Sequence, residues 1–96
     1  MKDLQNLILI LEETRAYIAQ DGNDFSWSSW IDQAHALSEI DSIITELENG
    51  AVPEMGVLFA PTGPIQEVSL SSGWGNQFLQ LADRFDKEYA IVRSRS

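Results

Sequence analysis

Apolar residues recur every three or four positions in the first and last parts of this chain, which is the pattern of an amphipathic helix. This spacing predicts a first helix over about residues 3–20 and a last helix over about residues 75–92. The first stripe comprises Leu4, Leu7, Ile8, Leu11 and Ile18, and the last comprises Phe78, Leu81, Ala82, Phe85, Tyr89 and Val92. On the last helix the spacing also predicts the i,i+4 ion pairs Asp83–Lys87 and Arg84–Glu88.

A second apolar stripe lies between these two helices. It consists of Trp27, Trp30, Ile31, Ala34 and Leu37, followed by Ile40, Ile43, Ile44 and Leu47. Asp24 and Ser26 are both good N-cap residues, so a second helix is predicted to start near one of them. Ser38 and Asp41 resemble a capping box, which predicts a break and a third helix over about 39–48. One bent helix over 26–48 fits the pattern almost as well.

The segment 51–75 is the irregular part of the pattern. Asn49 and Gly50 end the preceding helix, and "GVLFAP" predicts an extended segment or one short strand. "PIQEVSL" can form a short helix, since Pro64 suits the first position of a helical turn, but it also alternates as a strand would. The sequence therefore predicts a mainly α fold: a small bundle of about four helices with an irregular connector at 51–75.

Length and composition are those of one globular domain over residues 1–96. The chain is 44% hydrophobic and contains no cysteine, which excludes disulfides and thiolate metal sites and favours the cytoplasm. The only early apolar run, "LILIL", ends at Glu12, so neither a signal peptide nor a membrane span is predicted.

The acidic residues are the strongest compositional signal. The net charge is −9, and no Lys or Arg occurs between Arg15 and Arg84. The acids of that interval are Asp21, Asp24, Asp32, Glu39, Asp41, Glu46, Glu48, Glu54, Glu67 and Asp83. Such a segment repels nucleic acid and anionic membranes and attracts a basic protein partner, although acidity also serves solubility alone.

Residues for catalysis or for binding a cofactor or metal ion are few. His35 is the only histidine, and its place beside the apolar stripe favours a surface position over a role as general base. "DGND" at 21–24 lacks the spacing and closing Glu of a calcium loop and is interpreted as a turn. The glycine-containing turns lack the lysine of a phosphate-binding loop. We therefore predict no enzymatic activity, no cofactor and no metal site.

The tryptophans are interpreted mainly as structural. Trp30 lies on the apolar stripe and is predicted to be in the core, whereas Trp27 is either a cap over the bundle or an exposed anchor. Trp74 lies between two glycines, which favours a plug that seats the connector against the helices, together with Phe59, Ile65 and Val68. Docking is the alternative for Trp74, because Trp is enriched at interface hot spots.

The stretch "LFAPTGPIQEVSLSSGWGNQFLQLADRFD", residues 58–86, resembles the C-terminal half of small acidic bacterial proteins. Some proteins of that kind are immunity proteins of contact-dependent growth inhibition and related polymorphic toxin systems. The resemblance implies binding to a cognate toxin domain, often a basic nuclease, and occlusion of its active site or substrate groove. It carries over no individual site residue.

Two functions are compatible with the residues. The first is an immunity protein, monomeric or in a 1:1 complex, that neutralises a basic toxin domain through an acidic surface. The second is a non-catalytic adaptor or regulatory module that binds through an apolar patch. The predicted partner-binding residues are Asp21, Asp24, Trp27, Glu39, Asp41, Glu46, Glu48, Glu54 and Glu67.

Overall fold

The computed structural model describes residues 4–25, 30, 32–59 and 63–94. Within them the chain forms α1 (Gln5–Ile18), α2 (Gln33–Glu48), a 3-10 helix (Gly56–Phe59), α3 (Pro64–Ser72) and α4 (Gly75–Ser94). Helix α1 packs against both α2 and α4, and α3 packs against α4 and the 3-10 helix. The prediction of a mainly α bundle is confirmed.

The core is built mainly from the predicted apolar stripes, except that Ala34 is exposed and Ala36 is buried instead. Stacked rings join the connector to α4: Phe59 lies on Phe85 at 4.2 Å between ring centroids, and Phe85 lies on Tyr89 at 4.9 Å. The buried core residues are Leu4, Leu7, Ile8, Ile10, Leu11, Ile18, Trp30, Ala36, Ile40, Ile43, Leu47, Met55, Phe59, Ile65, Val68, Trp74, Phe78, Leu81, Phe85, Tyr89 and Val92. The predicted core positions of Trp30 and of the connector anchors, including Trp74, are therefore confirmed.

Helix α2 differs from both sequence interpretations. It begins at Gln33, because Asp32 has extended backbone angles and its carboxylate accepts the His35 backbone N–H at 2.9 Å. A helix start at Asp24 is therefore wrong, because Asp24 is not helical. The alternative start at Ser26 lies outside the described residues. The predicted break is also wrong, since α2 continues through Ser38, which is exposed. The buried stripe Ala36, Ile40, Ile43 and Leu47 crosses that point in phase.

The end of α2 follows the sequence signals closely. Gly50 has φ +87°, and its N–H donates to the Leu47 carbonyl at 3.0 Å. The N–H of Ala51 donates to the Glu46 carbonyl at 2.9 Å, and together these bonds form a Schellman motif.

The connector is helical rather than extended. Residues 56–59 form a 3-10 turn, so the strand predicted for "GVLFAP" is wrong in its described part. Of the two alternatives for "PIQEVSL", the helix is confirmed. Pro64 occupies the first turn of α3, and Gly73 ends the helix with φ +90° in the left-handed region.

Asn23 links the C-terminal end of α1 to Trp74, which lies between α3 and α4. The Asn23 side-chain amide donates to the carbonyls of Tyr17, Ile18 and Gln20 at 2.8, 2.9 and 3.2 Å. Its oxygen accepts the Trp74 indole N–H at 2.9 Å, and the Trp74 ring stacks on Tyr17. "DGND" is therefore a turn, as predicted, and Asn23 within it fixes the α3–α4 corner onto α1.

Candidate protein-binding surfaces

The four acids of α2 lie on two different flanks of the helix. At 3.6 residues per turn, Glu39 and Glu46 lie within about 20° of each other, and so do Asp41 and Glu48. The two pairs are separated by about 160° around the helix axis, with the buried stripe on one side between them. All four residues are exposed, and α2 contains no Lys or Arg. The structure thus presents two acidic flanks rather than one acidic face.

The flank formed by Asp41 and Glu48 is partly neutralised. Arg15 of α1 makes a bidentate ion pair with Asp41, with contacts of 2.6 and 3.2 Å. Hydrogen bonding to the carboxylate raises the pKa of the Arg15 guanidinium above its ordinary value. About half of the Asp41 side chain stays exposed, so this pair fixes the position of Asp41 without burying it.

The flank formed by Glu39 and Glu46 is tied to the core at one point. The indole N–H of Trp30 donates to the Glu39 carboxylate, while the Trp30 ring is buried. Glu39 therefore orients the segment that leads into α2, in addition to its place on the surface. Glu46 lies two turns further along the same flank and is exposed.

Asp21 and Asp24 lie at the other end of α2 from Glu48. They belong to the α1–α2 connection, and α2 itself, with 16 residues, is about 24 Å long. Asp21 is exposed, and the backbone N–H of Asp24 donates to the Ser72 hydroxyl at 2.8 Å. A partner that covers both ends must therefore span the whole of α2.

The remaining predicted contacts are separated from α2. Glu54 is exposed and accepts the Gly56 N–H at 3.0 Å, with the Tyr89 hydroxyl at 3.5 Å. Glu67 is half-buried in the first turn of α3. Trp27 lies outside the described residues.

A groove between α3 and α4 is a feature that the sequence interpretation missed. It consists of two adjoining clefts of about 310 and 290 Å³, both lined by Gln66, Phe78 and Leu79. Leu70 borders the first cleft, and the side chains of Leu70 and Leu79 are 66% and 61% exposed. The signal was present in the sequence, because Leu79 lies outside the stripe that α4 buries.

The opposite side of α4 faces α1 and carries mixed charge. Arg84 binds Glu13 in a bidentate ion pair at 3.0 and 2.6 Å, so the predicted Arg84–Glu88 pair is wrong. Arg84 lies on the flank that faces α1, where Glu13 is within reach. Its hydrogen bond holds the pKa of Glu13 below the ordinary value. The predicted Asp83–Lys87 pair is confirmed at 3.0 Å.

Groups suited to catalysis are sparse among the described residues. His35 is exposed near the start of α2, as predicted. Within the described part of the chain, no group of three or more His, Asp or Glu side chains is placed to hold a metal ion. No described helix has the length and apolar character needed to cross a membrane.

Comparisons with known proteins add no relative. A scan against protein-family models found no match, and searches of curated proteins and of solved structures returned no significant match.

Proposed function

We propose that this protein is an immunity protein that binds a cognate, basic toxin domain of the nuclease type and neutralises it in a one-to-one complex. The observation that carries the proposal is the distribution of charge. Helix α2 exposes four carboxylates and no cation. The interval without Lys or Arg extends from Arg15 to Arg84.

The physical rationale is complementarity to a phosphate-binding surface. A nuclease presents cationic side chains to its substrate, and carboxylates on a small rigid domain can occupy the same surface. Charge of this kind accelerates association and disfavours wrong partners more than it adds affinity. In this proposal the toxin is bound in the cytoplasm, where its substrate lies.

The positions of the four acids on α2 show which of them can be substituted to test binding without changing the structure. Asp41 is held by Arg15 and Glu39 by Trp30, so their substitution changes structure as well as charge. Glu46 and Glu48 are both exposed and belong to opposite flanks. A partner that docks on one flank must therefore respond to one of these two residues more than to the other.

The test uses the toxin domain that this proposal expects to be encoded beside the gene of this protein. Co-expression with this protein must rescue growth, and the two chains must co-purify. In stopped-flow association at low salt, Glu46→Gln/Glu48→Gln is expected to slow binding by about two- to tenfold, and one of the two single variants should account for most of that effect. The difference from wild type should shrink as salt shortens the range of the charge interactions.

The matched control is Gln77→Lys/Gln80→Lys, which makes the same change in net charge at two exposed positions of α4. If the control slows association as much as the α2 variant does, net charge alone is responsible and the α2 site is wrong. If co-expression neither rescues growth nor yields a complex, the immunity function itself is refuted.

A further inference from the structure

The groove between α3 and α4 is the clearest surface feature that the acidic site does not use. Along α4 it extends from Gly75 to Asp86, which is about 16 Å or three helical turns. Large apolar side chains exposed beside a groove mark interaction sites on soluble proteins. Leu70 and Leu79 are the two most exposed large apolar side chains among the described residues.

The charged residues that line this groove are all acidic. Asp83 and Asp86 line the second cleft, and no residue that lines either cleft is basic. Glu67 precedes Leu70 by three positions on α3, so the two side chains are neighbours on that helix surface. Asp83 already pairs with Lys87, which leaves Asp86 and Glu67 as the carboxylates best placed to meet a cation.

We infer that this groove binds an amphipathic helix of a partner protein, which presents bulky apolar side chains on one face and Lys or Arg beside them. Three turns of groove match anchors at i, i+3 or i+4, and i+7, the usual mode of a helix in a groove. A second copy of this chain fits poorly, because it would bring acidic rims together in a protein of net charge −9. This inference goes beyond the proposed function, since it concerns a second surface and needs no toxin.

The experiment uses three synthetic helical peptides of three to four turns as probes. The first carries Leu anchors flanked by Lys, the second has Glu in place of Lys, and the third has Ser in place of Leu. We expect only the first to bind, as measured by fluorescence anisotropy. The amide resonances that it shifts in ¹⁵N spectra should be those of residues 66–86.

Protein variants locate the binding to the groove. Leu70→Ser/Leu79→Ser should weaken binding of the first peptide at least about tenfold, because two apolar contacts are lost. Both side chains are exposed, so the fold should tolerate the change, which circular dichroism checks. The control is Leu9→Ser, because Leu9 is a 45% exposed leucine of α1 that lies away from the groove, in the cleft between α1 and α4. This variant should bind the first peptide as tightly as the wild type does. Glu67→Gln/Asp86→Asn should weaken binding and reduce its dependence on salt.

Four results would overturn the inference. One is equal binding of the peptide with Glu, since charge would then play no part. Another is unchanged affinity in Leu70→Ser/Leu79→Ser, and a third is a set of resonance changes confined to α2, because either would place the basic peptide on the acidic helix. The fourth is a dimer in analytical ultracentrifugation that Leu70→Ser/Leu79→Ser dissociates, which would make the occupant a second copy of this chain.

Discussion

Replacement of Asn23 by alanine tests how the α3–α4 corner is held onto α1. The Asn23 amide caps three carbonyls at the end of α1, and its oxygen accepts the Trp74 indole N–H. Two of these carbonyls, those of Ile18 and Gln20, also accept from the Gln33 side chain. The α1 end therefore keeps part of its capping in Asn23→Ala, whereas the indole loses the acceptor that Asn23 provides.

The expected cost follows from the burial of that donor. Trp74 is 5% exposed, and an unsatisfied buried donor costs about 1–3 kcal/mol. The lost capping bonds add about 1 kcal/mol, which gives a total of about 2–4 kcal/mol. For a domain of this size the midpoint of thermal unfolding should fall by about 10–30 °C.

The assay is urea unfolding followed by circular dichroism, in a double-mutant cycle with Trp74→Phe. Phenylalanine keeps a ring to stack on Tyr17, whose centroid is 5.0 Å from that of Trp74, but it removes the donor. The two changes should couple by about 1 kcal/mol, because they remove the same hydrogen bond. Gln33→Ala is the control and should cost less than Asn23→Ala. Additive effects of Asn23→Ala and Trp74→Phe would show that this hydrogen bond does not stabilise the corner.

Two further predictions concern helix ends and charge. Asp32→Ala should cost about 1 kcal/mol of unfolding free energy by removing the cap of α2, whereas Asp32→Asn should cost much less in the same urea titration; equal losses would contradict the cap. Arg84 lowers the pKa of Glu13 in the folded state. The pair therefore stabilises the fold at pH values above the ordinary pKa of Glu, about 4.3. This stabilisation is lost as the pH falls through the lowered pKa of the folded state. In Arg84→Gln the pKa of Glu13, measured by NMR titration, should rise towards its ordinary value, and an unchanged pKa would assign the shift to another cause.

The sequence predicted best those helices whose apolar stripe and end signals indicate the same first and last residues. Helices α1 and α4 were located within two residues at each end, because their apolar residues stay in phase over several turns. The region 26–48 was divided wrongly, since Ser38 and Asp41 matched a capping pattern in a place where no helix begins. A cap stabilises only free backbone N–H groups, and in the middle of α2 those groups are already bonded.

Helix α3 is a segment for which the local sequence pattern does not decide between helix and strand. A segment of seven apolar and polar residues can satisfy both a helical and an extended period. Pro64 at the start and Gly73 in the left-handed region at the end favour the helix. The burial of Ile65 and Val68 against neighbouring elements then stabilises it, and that burial depends on residues distant in the chain.

The candidate sites were predictable as residue types but not as surfaces. Counting acids identified the four carboxylates of α2, yet only the helix register separates Glu46 from Glu48 and places them on opposite flanks. The groove with Leu70 and Leu79 exists because α3 packs on α4. No local pattern encodes that contact. Leu70 and Leu79 nevertheless lie outside the apolar stripes of their helices, and this position indicates that they are exposed.

The link between Asn23 and Trp74 attaches the α3–α4 corner to α1 from its buried side, while the outer side of α3 carries the acidic residue Glu67. Its attachment is buried: the indole N–H is satisfied by a residue 51 positions away, and the ring stacks on α1. The outer side of α3 is thereby left to Gln66, Leu70 and the carboxylate of Glu67, which the core does not need. Substitutions there should alter binding without altering the fold, whereas substitutions at Asn23 or Trp74 should do the reverse. That separation is what allows the groove and the acidic flanks of α2 to be tested independently.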